Sequence, residues 1–150
     1  LSLGLAALIT WVGTVGFGSY LFGTWLARGG LSQLPLAFNR PPSYFPAPLV
    51  FGHVIMATTG LLVWIAYLLT DWKVLAWVAF TILLPVDLFG FSMFGRWLGS
   101  RRARVAIFGM DRDRGPAESR LPMAVVFSHG LCAGTTVLLV LATAVGIHGS

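Results

Sequence analysis

The sequence predicts an all-α integral membrane protein: four transmembrane helices in an up-down bundle, built from two duplicated two-helix halves of approximately residues 1–72 and 73–150. Three observations carry this. Only 10% of the 150 residues are charged and 57% are hydrophobic, so water is not the main solvent of the chain. The apolar residues fall into four stretches, each of about 20 residues or more, the length needed to cross a hydrocarbon core. The segment Phe17-Gly18-Ser19-Tyr20-Leu21-Phe22-Gly23-Thr24-Trp25-Leu26 recurs 72 residues later as Phe89-Gly90-Phe91-Ser92-Met93-Phe94-Gly95-Arg96-Trp97-Leu98, preserving FG-x3-FG-x-WL.

The first stretch, Leu1 to Ala27, carries no charge, and the second, Leu49 to Thr70, carries none either and holds a single histidine. The third, Val74 to Leu98, contains Asp87 and Arg96; the fourth, Leu121 to Ile147, contains His129 and Cys132. Leu1 to Ala27 is long, interrupted by glycines and followed directly by Arg28. A cleaved signal peptide has a shorter apolar core behind a basic end, so this stretch is expected to be a retained helix. One cysteine excludes an internal disulfide.

Charge sets the expected orientation. Arg28 and Arg40 lie in the first connection and Arg96 ends the third helix, while Arg101, Arg102, Arg104, Arg112, Arg114 and Arg120 lie in or bound the third connection. Only Lys73, in the tight turn Asp71-Trp72-Lys73, is on the other side. The positive-inside rule then makes the first and third connections cytoplasmic and both termini external, in a multi-pass protein of the cell membrane. Topology accounts for the basic residues, so nucleic acid is not implied as a partner. Pro35, Pro41, Pro42, Pro46 and Pro48 predict an extended path for the first connection along the interface. Gly99 to Arg120, with Asp111, Asp113 and Glu118 among its arginines, reads as a solvated loop. Trp25 and Trp97 at one end, and Trp64, Tyr67, Trp72 and Trp77 at the other, read as an aromatic belt at the two interfaces.

The repeat extends beyond the FG motif. His53, Ala57, Thr59, Leu62 and Ala66 share their relative spacings with His129, Ala133, Thr135, Leu138 and Ala142. Rare residues, Trp and His, thus fall in register, the signature of duplication. In an up-down bundle the equivalent helices are diagonal to one another. His53 is five residues beyond Pro48 and His129 seven beyond Pro122, so each lies roughly 7 to 10 Å into its helix, at similar depth. By helical spacing, the face of His53 continues through Ala57, Gly60 and Trp64, and that of His129 through Ala133 and Thr136. The FG motifs bring Gly18, Gly23, Gly90 and Gly95 near the same level, where glycine permits a helix or a flat macrocycle to approach the backbone.

Two opposed imidazoles with glycine on the other two walls describe a pocket for haem b, His53 and His129 taking the iron from either side. Haem propionates would face the basic end, where Arg40, Arg96 or Arg101 would supply charge-assisted hydrogen bonds. In layout, though in no specific motif, this resembles the four-helix membrane b-type cytochromes. The resemblance implies an electron-transfer protein or the cytochrome subunit of a larger membrane oxidoreductase, with integral membrane protein partners and quinone as an exchange partner. Histidines that only bond across helices fit instead a cofactor-free accessory subunit of a membrane complex.

Asp87 breaks the repeat, since Val15 holds the equivalent position. It lies roughly 16 Å from the end of its helix, near mid-bilayer, where a carboxylate is costly and normally faces protein or water. It is the candidate proton relay, and with the histidine pair it would also serve a small proton-coupled transporter. A packing role predicts instead a protonated carboxyl bonded to Thr14 or Thr58. Cys132, three residues past His129, is a small apolar residue or an additional metal ligand. His148 reads as part of a solvated tail, and Met56 and Met93 as packing.

Overall fold

The computed structural model describes residues 2–31, 43–108 and 115–147. Over these residues it comprises α1 (Leu3–Ala27), α2 (Ala47–Thr70), α3 (Lys73–Phe108), a short 3-10 turn (Ala117–Arg120) and α4 (Met123–Ala144). All four α-helices are long and apolar enough to cross a membrane, which fits a multi-pass protein in a lipid bilayer. The predicted path through Pro35, Pro41 and Pro42, and the positions of Arg40, Arg112, Arg114, Asp111, Asp113 and His148, lie outside the described residues.

Local chemistry sets the helix ends. Ser2 caps α1 by accepting from the Leu5 N–H at 3.3 Å. At its other end Gly29 takes φ 82°, and the Gly30 N–H returns to the Trp25 carbonyl at 2.9 Å. A Cβ on Gly30 would lie 2.1 Å from the Trp25 ring, so the turn folds directly against that indole. α2 begins after Pro46 and ends on Asp71 at φ 52°. Only Asp71 and Trp72 separate it from α3, so those two helices run antiparallel.

α3 has 36 residues and passes through Pro85 without ending. It runs ten residues beyond the predicted end at Leu98, which corrects the reading of Gly99 to Arg120 as a solvated loop. Its first ten residues are helical, and Ala117, Glu118 and Ser119 are buried. Charge density marked this segment as polar, but polarity does not exclude a helix that continues out of the apolar layer.

α1 packs chiefly on α4 and α2 on α3; the α3–α4 seam is thinner and the α1–α2 seam thinner still. The backbones of α1 and α3, and of α2 and α4, do not approach one another closely. The interior forms two apolar clusters. One holds Ala7, Trp11, Trp64, Ala76, Ala79, Leu83, Val140 and Ala144. The other, at the arginine-rich end, holds Trp25, Phe45, Val50, Trp97, Ala117 and Leu121.

Three tryptophans assigned to an aromatic belt are therefore core residues. Trp64 is 0% exposed, Trp25 1% and Trp97 2%, whereas Trp72 and Trp77 remain exposed at 60% and 45%. Distance from a helix end places a ring along the membrane normal, but only packing decides whether it turns inward. Trp11 fills the space above Gly60, where a Cβ would meet its ring at 3.1 Å. The Trp64 N–H is satisfied by the Gly4 carbonyl at 3.2 Å.

Candidate functional site

Between the two clusters lie the histidines. Nδ1 of His53, on α2, is 3.0 Å from the Val86 carbonyl on α3. Nδ1 of His129, on α4, is 2.9 Å from the Thr14 carbonyl on α1. A carbonyl only accepts, so each Nδ1 carries the proton and donates. Each Nε2 then keeps its lone pair. The two acceptors stand 72 residues apart, the spacing of the FG motifs, and the two donors 76 apart, the spacing of the second echo. One bond is thus made twice, by corresponding residues of the repeat.

Pro85 precedes one acceptor, but it deprives the Thr81 carbonyl of its helical partner rather than that of Val86. Thr14 offers its carbonyl from a helix without any proline. The proline is therefore not what creates the acceptor.

The two imidazole rings meet edge-on, with centroids 6.2 Å apart and planes at 60°. A metal–imidazole bond is about 2 Å and a ring nitrogen lies about 1.1 Å from its own ring centre, so two rings sharing one ion have centroids about 6.2 Å apart. The spacing is thus compatible with two imidazoles sharing one ion, and the carbonyls at Nδ1 orient the rings. Among the described residues no group of three or more His, Cys, Asp or Glu side chains gathers to hold a metal ion by itself. Cys132 points elsewhere: its Sγ is 3.9 Å from where a Cβ on Gly13 would stand.

The four candidate glycines divide into two pairs. A Cβ on Gly18 would lie 3.0 Å from Cε1 of His129, and one on Gly90 would lie 3.6 Å from Cε1 of His53. These two glycines give the imidazoles their room. Gly23 and Gly95 are exposed, with nothing within 4 Å of a Cβ.

Asp87 is half-buried and makes no hydrogen bond or ion pair among the described residues. The expected partners are engaged elsewhere: Thr14 donates to the Thr10 carbonyl at 2.9 Å and Thr58 to the Val54 carbonyl at 2.8 Å. Asp87 stands seven residues before Phe94, which packs edge-on against Phe127 of α4 at 5.8 Å. Helical spacing therefore puts the carboxylate on the side of α3 that borders α4.

At the arginine-rich end sequence reasoning missed a polar knot. Glu118, 0% exposed, accepts from Ser43 Oγ at 2.7 Å and from the Tyr44 N–H at 2.6 Å. Ser43 Oγ in turn accepts from Trp25 Nε1 and from the Phe45 N–H, both at 3.1 Å. Arg96 donates to the Tyr44 carbonyl at 3.2 Å, so this cation is spent on tying α3 to the first connection. A signal was present: Ser43-Tyr44-Phe45-Pro46 and Ser119-Arg120-Leu121-Pro122 share S-x-x-P at the same 76-residue spacing as the histidines.

A cleft of about 270 Å³ opens at the opposite end beside Gly4, Tyr67 and Asp71, remote from the histidines. No family model matches the chain, and no curated protein or solved structure was found to match it.

Proposed function

We propose that this chain is a haem b-binding membrane electron-transfer protein, or the cytochrome subunit of a larger membrane oxidoreductase, in which His53 and His129 would hold the haem iron. The observation that carries this is the ring spacing of 6.2 Å between two imidazoles whose Nδ1 protons are held by backbone carbonyls. The haem would supply a one-electron carrier; the chain orients both ligands and excludes water with an apolar cluster on either side. Gly18 and Gly90 admit the rings, while the open positions at Gly23 and Gly95 leave room beside the FG motifs.

In this reading the fold is an up-down bundle of two duplicated halves. The twofold recurrence of the histidine–carbonyl bond supports it. The arginine-rich connections are cytoplasmic and both termini external. A haem held by the two histidines would supply a one-electron carrier for local exchange with an integral membrane partner or a quinone, and Asp87 at the α3–α4 seam would take or give a proton.

The deciding measurement is the absorption spectrum of the purified, haem-supplied protein. The reading predicts a Soret band of low-spin, bis-histidine form that His53→Ala and His129→Ala each abolish. A well-folded, haem-supplied protein without that band would sink it. The alternative, a cofactor-free accessory subunit, draws on the same two bonds, since they already tie α2 to α3 and α4 to α1. It predicts stable co-purification with a membrane complex and no band.

A further inference from the structure

Trp25 and Trp97 hold equivalent places in the FG-x3-FG-x-WL motif, and both are buried in the same cluster. Their indole N–H groups fare differently. Trp25 Nε1 donates to Ser43 Oγ, and Ser43 Oγ donates to the Glu118 carboxylate. Trp97 Nε1 is buried and has no hydrogen-bond partner among the described residues. The serine that corresponds to Ser43 is Ser119, but its hydroxyl turns to the Pro116 carbonyl at 2.7 Å. Leaving a buried N–H unmet is costly, so the unpartnered indole N–H of Trp97 calls for an acceptor.

The surroundings define what kind of acceptor. Arg101 lies over the Trp97 ring at 5.2 Å, with one N–H directed 3.5 Å to the Leu121 carbonyl. Arg104, seven residues past Trp97 on the same face, has its Nε buried without a partner among the described residues. That face is also the one that carries Gly90, seven residues before Trp97 and about 10 Å along the helix. Helical side chains lean toward their helix N-terminus, so the indole reaches back toward the histidine layer. At Trp25 the chain supplies its own carboxylate; at Trp97 the described residues supply the N–H and the Arg101 guanidinium but no carboxylate.

We infer that Trp97 Nε1, with Arg101, forms a carboxylate-binding subsite that takes one haem propionate and fixes which edge of the macrocycle faces the arginine-rich end. This rests on the haem reading and assigns that haem an anchoring contact apart from its iron. The Trp97 N–H and the Arg101 guanidinium are donors only, so the ligand group must be an acceptor, and an anionic one is favoured.

The test compares haem with its dimethyl ester, whose propionates can no longer carry charge, in wild-type protein and in Trp97→Phe, with Arg101→Gln as a second variant. Release is followed as loss of the Soret band to an excess of a haem-scavenging apoprotein. Each variant should keep the band and both axial ligands yet release haem roughly tenfold faster, the value of one charge-assisted hydrogen bond. With the ester the wild type and both variants should release at one common, faster rate. Trp25→Phe, whose partner lies within the chain, should change release of haem and ester by the same factor. Unchanged release of haem from both variants, or a difference that persists with the ester, would overturn the subsite while leaving the haem reading standing. Absence of a band in wild-type protein would overturn both.

Discussion

At the histidine layer the two copies of the repeat do the same thing; at the arginine-rich end they do different things. His53 bonds Val86 and His129 bonds Thr14 at nearly equal lengths, with Gly90 and Gly18 beside the respective rings. One layer away, Trp25 is wired through Ser43 to Glu118, while the Trp97 N–H has no partner among the described residues. A symmetric layer suits something that uses both sides alike, as an iron with two axial ligands does. Asymmetry begins where a ligand with distinct edges, or a partner on one surface, has to be told apart.

The largest effect should come from breaking the symmetric layer. On the proposed reading, His53→Ala or His129→Ala should each remove the low-spin form of the Soret band entirely, because half a ligand pair does not hold a low-spin iron. Equal loss from both is the outcome that keeps the layer symmetric. If only one substitution mattered, the two histidines would have separate roles and the comparison would fail.

Next is the knot at the asymmetric end. Glu118→Ala strands a part-buried hydroxyl and a part-buried N–H that now donate to a carboxylate, and should destabilise the protein by about 2 kcal/mol. Ser119→Ala, which removes one bond to a carbonyl, should cost about 1 kcal/mol. Unfolding in mixed micelles would measure both. Equal costs would mean that the two S-x-x-P segments are interchangeable, contrary to the structure.

A smaller difference is expected inside the symmetric layer itself. A Cβ at position 18 stands 3.0 Å from the neighbouring imidazole and one at position 90 stands 3.6 Å away. Gly18→Ala should therefore cost about 1–2 kcal/mol and shift the Soret maximum, while Gly90→Ala should fall under about 1 kcal/mol with little shift. The reverse order would show that His53, not His129, is the more tightly held ring.

The smallest stability change should follow Asp87→Val, which installs the residue type of Val15. With no hydrogen bond or ion pair to lose among the described residues, stability should drop by less than about 0.5 kcal/mol. On the proposed reading, reduction of bound haem by a quinol should nevertheless slow. Unimpaired reduction would remove Asp87 from proton transfer, and a large loss of stability would recast it as a packing residue.

The four spans were legible because about 20 consecutive apolar residues have few other uses. The histidines were legible because a rare residue recurs in register. The inward turn of Trp25, Trp64 and Trp97 was not, since three-residue and four-residue spacings in a uniformly apolar helix do not mark one face as interior. Nor was the buried carboxylate of Glu118, which sits among arginines that advertise solvent.

By itself the sequence determined the solvent, the number of helices, the repeat and the identity of the two imidazoles, all of which follow from composition and spacing along one dimension. Tertiary structure alone decided that the rings stand 6.2 Å apart, that backbone carbonyls hold their protons, and that one of two equivalent tryptophans lacks a partner for its N–H among the described residues. Those facts depend on how helices turn about their axes. In a bilayer, where every face is apolar, hydropathy does not set that rotation, and close packing and hydrogen bonds between helices do.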